Sequence, residues 1–289
     1  MARPTCQFET ITPAQAKKWL EKAGQNRKLR QSRVDLYAQM IARNDWFVTN
    51  QGIAFDEDEK LLDGQHRLNA IVAANVPVKM LVVRDLEKAA QMVIDVGAAR
   101  QLHEQMRLNR GMPVLPLHIA VARHMLASTA DSDTTRLMRR DPMLVERFYL
   151  GYRAAIDYAV TLFAAAPPQG IGGVRVAAVV APVARAYYHT DKHERLDQFR
   201  DILYNGFADK AADSAAVVLR TYLMVLHSKV GQGRGFAVRR EQYAHTEIAV
   251  LAFLERRILH KFPRHVDTTE ELLPLPRLPK LIKAGVEAA

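Results

Sequence analysis

The stretch Leu61-Leu62-Asp63-Gly64-Gln65-His66-Arg67-Leu68-Asn69-Ala70 decides how this chain is read. Two leucines continue a short β-type run, Gly64 allows a tight turn, and Leu68, Ile71 and Val72 then share one face of a helix ending at Asn75. A strand–turn–helix of this kind presents the unpaired N–H groups of the first helical turn and the positive end of the helix dipole. Such a terminus attracts a phosphate or another anion. His66 and Arg67 add donors there, and a guanidinium grips two phosphate oxygens at once. Asp63 stands where a carboxylate holds a metal ion, orients a hydroxyl or caps the helix. The bland alternative is that Asp63 only caps and Arg67 only pairs with it.

Working outward, Gly52-Ile53-Ala54-Phe55 reads as a strand, joined to Leu61-Leu62 through the exposed polar tip Asp56-Glu57-Asp58-Glu59-Lys60. Residues 77–84 are rich in Val and Leu and read as a buried strand, and residues 86–94 as a short amphipathic helix. Upstream, residues 8–11 alternate weakly as a strand. Thr12 and Pro13 then have the character of an N-cap and first helical residue. Ala16, Trp19, Leu20 and Ala23 recur at helical spacing before Gly24 ends that helix. Residues 26–31 form a polar, basic loop. Ser32 is expected to cap a second helix carrying Val34, Tyr37, Ala38 and Ile41, which stops near Asn44-Asp45. Trp46 suits a core position twice as well as a base-stacking one.

After residue 110 helical periodicity dominates, with apolar stripes at 115–127, 143–165, 174–188, 196–204, 211–227 and 242–258 and no further strand. Asn109-Arg110-Gly111-Met112-Pro113 interrupts the pattern. The expected fold class is therefore an α/β N-terminal domain, residues 1–108, followed by an all-α helical domain, residues 109–289. Pro274, Pro276 and Pro279 predict an extended C-terminal segment, packed on the body or free of it.

Composition narrows the classes. Of 289 residues, 49% are hydrophobic and 25% charged, which excludes a disordered chain. One cysteine, Cys6, excludes an intrachain disulfide, and no Cys/His cluster has zinc-finger spacing; both fit a reducing cytoplasm. The N-terminus lacks an apolar signal-type run. The most apolar stretch, residues 174–188, is broken by Arg175, Pro182 and Arg185, so no membrane span is expected. The net charge of +10 points to a polyanionic partner, nucleic acid being the commonest. The excess clusters in the 26–30 loop, at Arg136, Arg139 and Arg140, and around Arg234, Arg239 and Arg240. An ordinary solvated surface is the competing explanation.

Asp63-Gly64-Gln65-His66-Arg67, with Ala70 after it, resembles the phosphate-binding motif of the ParB/sulfiredoxin-like superfamily in its Asp-Gly-Gln-His-Arg branch. Gly64, Arg67 and Ala70 match the Gly-x-x-Arg-x-x-Ala pattern of ParB-type partition proteins. Asp63, Gly64, His66 and Arg67 match the Asp-Gly-His-His-Arg version of the free-serine kinase, and Gln65 departs from it. Gln65 also stands where sulfiredoxins carry their reactive cysteine, which argues against that chemistry. The resemblance covers about residues 8–108 and includes the Asn26-Arg27 loop and the run from Asp95 to Arg100. It implies ATP or CTP bound through Gly64, Gln65, His66 and Arg67, with magnesium at Asp63 and with Asn26, Arg27, Asp95 and Arg100 lining the same cleft.

Three activities follow as expectations. The first is a nucleotide-dependent phosphotransferase with Asp63 and His66 as the catalytic pair, acting on a hydroxyl such as one on modified DNA. The second is a nucleotide-gated DNA-binding protein of the partition type. The third is a nuclease, disfavoured because no second acidic cluster accompanies Asp63 for a two-metal site.

Overall fold

Strand β4, Val78–Leu86, organises the N-terminal sheet. It pairs antiparallel with β1, Thr5–Ile11, and parallel with β2, Ile53–Asp56, while β2 pairs antiparallel with β3, Leu61–Asp63. The resulting order is β1-β4-β2-β3. The computed structural model describes residues 3–23, 29–92, 94, 100–126, 140–164, 173–228, 236–268 and 271–277. Burial alternates along the first half of β4, with Val78, Met80 and Val82 facing the core, as period-2 side chains must. Three helices cover that face: α1, Pro13–Glu21; α2, Gln31–Ala42; and α3, Gln65–Ala74, which packs against both others. Trp19 meets Phe55 edge-to-face, and Trp46 packs edge-to-face on Tyr37 in the core rather than standing free for a base.

The local signals account for most of these ends. Thr12 Oγ1 accepts from the Gln15 N–H at 3.2 Å, with Pro13 behind it. Asn44 and Asn75 close α2 and α3 with left-handed φ values of 58° and 53°. Four expectations need correction. Ser32 does not cap α2, which begins one residue earlier, at Gln31. The segment after Arg84 stays in the sheet to Leu86, and only a 3-10 turn, Lys88–Met92, follows. The hairpin tip is not uniformly exposed: Asp56 is buried because its Oδ1 accepts from the N–H groups of Asp58 and Lys60. Gly24, expected to end α1, lies outside the described residues, and α1 stops at Glu21.

The chain divides at Ala99/Arg100 rather than after residue 108. The difference is helix α4, Leu102–Arg110, whose N-terminus is closed by Glu104 accepting from the Gln101 N–H and whose apolar residues Leu102 and Met106 join the helical core. The unit continues with α5, Pro116–Leu126; α6, Pro142–Gly151; α7, Arg153–Ala164; α8, Ala177–Ala186; α9, Glu194–Asn205; α10, Ser214–Ser228; and α11, Phe236–Leu254. The single stripe at 143–165 is two helices, broken at Tyr152. Helix α8 is apolar on nearly every side and sits centrally, touching α5, α7 and α11. No helix among the described residues is long and apolar enough to cross a membrane.

Among the buried charged side chains of this unit, Arg185 of α8 and Glu247 of α11 both hold the segment 271–277. Glu247 Oε1 accepts from the Leu273 N–H at 3.1 Å, and Arg185 Nη1 donates to the Leu273 carbonyl at 2.9 Å. Burial pushes the Glu247 carboxyl up to about 6, against the pull of Arg185 and the Leu272 and Leu273 amides. The folded state therefore prefers Glu247 protonated, and stability from this group falls as pH rises from the ordinary carboxylate range through 6. Glu247→Gln removes that cost of roughly 2 kcal/mol. Its denaturation midpoint should exceed the parent's at pH 8 and converge with it below about pH 4.5. A pH-independent difference in urea titrations would contradict this account.

Candidate phosphate-binding turn

β3 ends at Asp63, and the chain reverses at Gly64 with φ +105° before α3 begins. Glycine is required there twice over. The backbone is left-handed, and a Cβ would lie 2.5 Å from Ile53 Cδ1. Gly52 is constrained more severely, since a Cβ on it would lie 1.8 Å from the Leu81 carbonyl oxygen of β4. That close approach positions the Gly52 carbonyl, which accepts from Arg67 Nε at 2.9 Å.

Arg67 is thereby fixed from two sides. Its Nη2 also donates to Asp63 Oδ2 at 2.6 Å, one helical turn back. The other Asp63 oxygen, Oδ1, accepts from the Gly64 N–H at 2.6 Å. The Asp63 side chain keeps 24% of its surface exposed and Arg67 11%, so the pair lies at the edge of the core with one flank in water. His66 is buried, and its Nε2 accepts from the Arg30 N–H at 3.0 Å. Gln65 Oε1 is buried without a hydrogen-bond partner among the described residues.

Before the basic loop, the Lys22 carbonyl accepts from the Leu61 N–H at 3.2 Å, and Ala23 bridges to Leu61. After it, Arg30 is held on His66. The described residues on either side of 24–28 thus meet β3 at Leu61 and α3 at His66. Asn26 and Arg27 themselves lie outside the described residues, as do Asp95, Arg136, Arg139 and Arg234. Arg100 is exposed and belongs to the second unit. Arg140 is exposed just before α6, and Arg239 is exposed in the first turn of α11. Arg240, beside it, donates to the Thr268 carbonyl at 3.3 Å.

The Arg30 N–H engages the His66 Nε2 lone pair, while each Asp63 oxygen accepts one hydrogen bond, from the Gly64 N–H or from Arg67, and keeps a second lone pair. One of these two donors is a guanidinium, so a magnesium ion there would share the carboxylate with the Gly64 N–H and Arg67. The acidic tip offers no substitute. Asp56 is spent on backbone amides, Asp58 pairs with Lys88 at 2.6 Å, and Glu59 pairs with Lys22, which hold the Asp58 and Glu59 carboxyls below their ordinary range. No group of three or more His, Cys, Asp or Glu suited to a metal occurs among the described residues. Three roles escaped the sequence reading: the close approach of Gly52, the Arg30 main-chain N–H on His66, and the orphaned Gln65 acceptor, although Arg30 and Gln65 themselves stood among the candidates. Only Gly52 carried a signal, since glycine inside a β-type run marks close backbone approach.

Comparison with protein-family models, curated proteins and solved structures finds no match for the chain.

Gly52→Ala tests the geometry directly. The Leu81 oxygen is main-chain and cannot rotate away, so β2 must part from β4, at no less than the ~1–3 kcal/mol of an overpacked core. Chemical denaturation should show that loss, and an unchanged midpoint would mean that the two strands do not approach as described.

Proposed function

We propose that the N-terminal unit is a phosphate-recognition module of the ParB/sulfiredoxin-like kind, which binds a nucleoside triphosphate, ATP or CTP, at the β3–α3 turn. The observation that carries this reading is that the residues on either side of the basic 24–28 stretch are held on this unit, Ala23 on Leu61 of β3 and Arg30 on His66 of α3. A helix N-terminus and a guanidinium meet at this turn, which suits a polyphosphate. The orphaned Gln65 amide supports a ligand that also offers a hydrogen-bond donor, such as a ribose hydroxyl or a base amine. The basic helical unit is read with it as the part that takes nucleic acid, which makes the whole a nucleotide-gated DNA-binding protein.

Phosphoryl transfer to a hydroxyl is the second reading, favoured by one observation: the flank of Asp63 open to water, where an acceptor hydroxyl has access. It requires Asp63 to leave Arg67 when nucleotide arrives. Label from a γ-phosphate separates the two, because a transferase moves it to an acceptor and a switch releases it as inorganic phosphate.

Asp63→Asn gives a test with a sign. Asp63 occupies the two donors, the Gly64 N–H and Arg67, that a phosphate uses, so it competes with the ligand. Removing its charge should tighten metal-free triphosphate binding by about tenfold in calorimetry, roughly the worth of one charged hydrogen bond. Weaker binding of the variant that appears only when magnesium is added would restore Asp63 as a metal ligand, weaker metal-free binding would overturn the competition, and no binding to either form would remove the site.

For the helical unit, duplex DNA affinity should fall with salt at a log–log slope of about −0.9 per phosphate contact. Arg140→Ala with Arg239→Ala should flatten that slope by up to about two contacts. A salt-independent chain would assign this charge to ordinary surface.

A further inference from the structure

Residues 271–277, Glu-Leu-Leu-Pro-Leu-Pro-Arg, cross the helical unit without forming a helix or strand, yet the unit's side chains hold their backbone throughout. Glu247 takes the Leu273 N–H, and Arg185 takes the Leu273 carbonyl at 2.9 Å. His189 Nε2 donates to the Pro274 carbonyl at 2.9 Å, and the Tyr152 hydroxyl donates to the Pro276 carbonyl at 2.9 Å. The four partners come from α8 and the turn after it, from α11, and from the α6–α7 junction, and they meet the segment in its own order. Leu273 is fully buried between them.

This is how a groove reads a proline-rich peptide. Proline fixes φ and disfavours helix in the residue before it, so Leu273-Pro274-Leu275-Pro276 is extended before it docks and loses little entropy on docking. Carbonyls that no strand or helix claims are then met by hydroxyl, imidazole and guanidinium donors. Tyr152, the hydroxyl donor, is itself packed by Phe148 and Tyr188, with ring centroids 4.7 and 6.0 Å from its own. The segment does not fill its surroundings: a cavity of about 420 Å³ opens beside Leu272, lined by Ala244, Glu247, Ile248, Leu251 and Val266.

We infer that this face of the helical unit is a recognition groove for extended Leu-Pro-x-Pro peptides, occupied in cis by the chain's own residues 272–276. The bound segment itself defines the ligand class: an extended proline-rich stretch with a leucine anchor before the first proline. The cis segment acts as an intramolecular competitor, because tethering gives it an effective concentration on the order of millimolar. A partner's peptide of the same chemistry enters when that segment is displaced.

The test uses the full chain and a fluorescent peptide of residues 271–277. Wild type should show no saturable binding at micromolar peptide. Leu273→Ser withdraws the anchor of the cis segment, and Pro274→Gly with Pro276→Gly loosens it by restoring backbone freedom without touching the core leucine. Each variant, with helix content confirmed by circular dichroism, should bind the peptide at least about tenfold more tightly than wild type. Tyr152→Phe added to either variant should weaken that binding, and a peptide with both prolines changed to glycine should bind poorly. Folded variants that ignore the peptide overturn the proposal. So does unfolding of both, which would make the segment an inseparable part of the core. Equal binding of the glycine peptide overturns the ligand class.

Discussion

The N-terminal unit depends on how closely the backbone at Gly52 approaches β4. No side chain fits between Gly52 and the Leu81 carbonyl, so the start of β2 is drawn against β4 and its carbonyl is turned to Arg67. Arg67 then ties that carbonyl to Asp63, at the end of β3, from the first turn of α3. One guanidinium thus joins β2, β3 and α3, and Gly64 is the only residue type that closes the circuit. The same circuit sets what the turn can do. A cation nearly removed from water and already paired gives structure first. A phosphate bound there, as proposed, would have to outcompete Asp63. Removing one member of such a pair strands the other, which is why the worth of Arg67 to stability and to binding cannot be read from its contacts separately.

The helical unit rests on a different constraint. Helix α8 is surrounded, so its one charged residue, Arg185, has to be neutralised inside the protein. Met125 of α5 and Leu273 supply carbonyls, and Glu271 supplies the counter-charge. Glu247 lies close enough to feel Arg185, yet burial still outweighs that attraction and holds its carboxyl up to about 6. The segment 271–277 is thus attached by the polar demands of buried charges as much as by its leucines. Apolar residues of similar volume at Arg185 and Glu247 would pack as well and would hold no particular peptide; charges in these places select a backbone.

Much of this was legible in the sequence because the signals were local. Thr12-Pro13, Asn75 and the period-2 pattern of Val78, Met80 and Val82 need no tertiary knowledge, and the hairpin and the turn at Gly64 follow from similar cues. The Asp63–Arg67 pair is an i,i+4 neighbour on helical geometry, so it too was open to anticipation, as the bland alternative. What the sequence did not reveal involves partners far apart in the chain. The Arg30 N–H on His66 and the Gly52 carbonyl on Arg67 are main-chain groups, which every residue carries and which no composition marks. Tyr152 looked like the middle of one helix because its apolar neighbours keep the period across the break. Helix α4 was missed for the opposite reason: its sequence, Leu-His-Glu-Gln-Met-Arg-Leu-Asn-Arg, is polar enough to hide two core residues.

The two sites share a physical feature that bears on how each would be occupied. At the turn, Asp63 sits on the donors that the proposed phosphate would use; on the helical unit, residues 272–276 sit where the inferred peptide would dock. In each case the protein supplies a covalently attached substitute for the external group, and the substitute satisfies buried donors that would otherwise cost stability. An external ligand therefore gains only the difference between its own contacts and those it displaces, so its affinity is modest. A small change in the substitute then has a large effect on binding, since it moves the reference state and leaves the ligand's own contacts untouched. Occupancy at both places is governed by the strength of the internal competitor, and that is where variation in this chain has its greatest leverage.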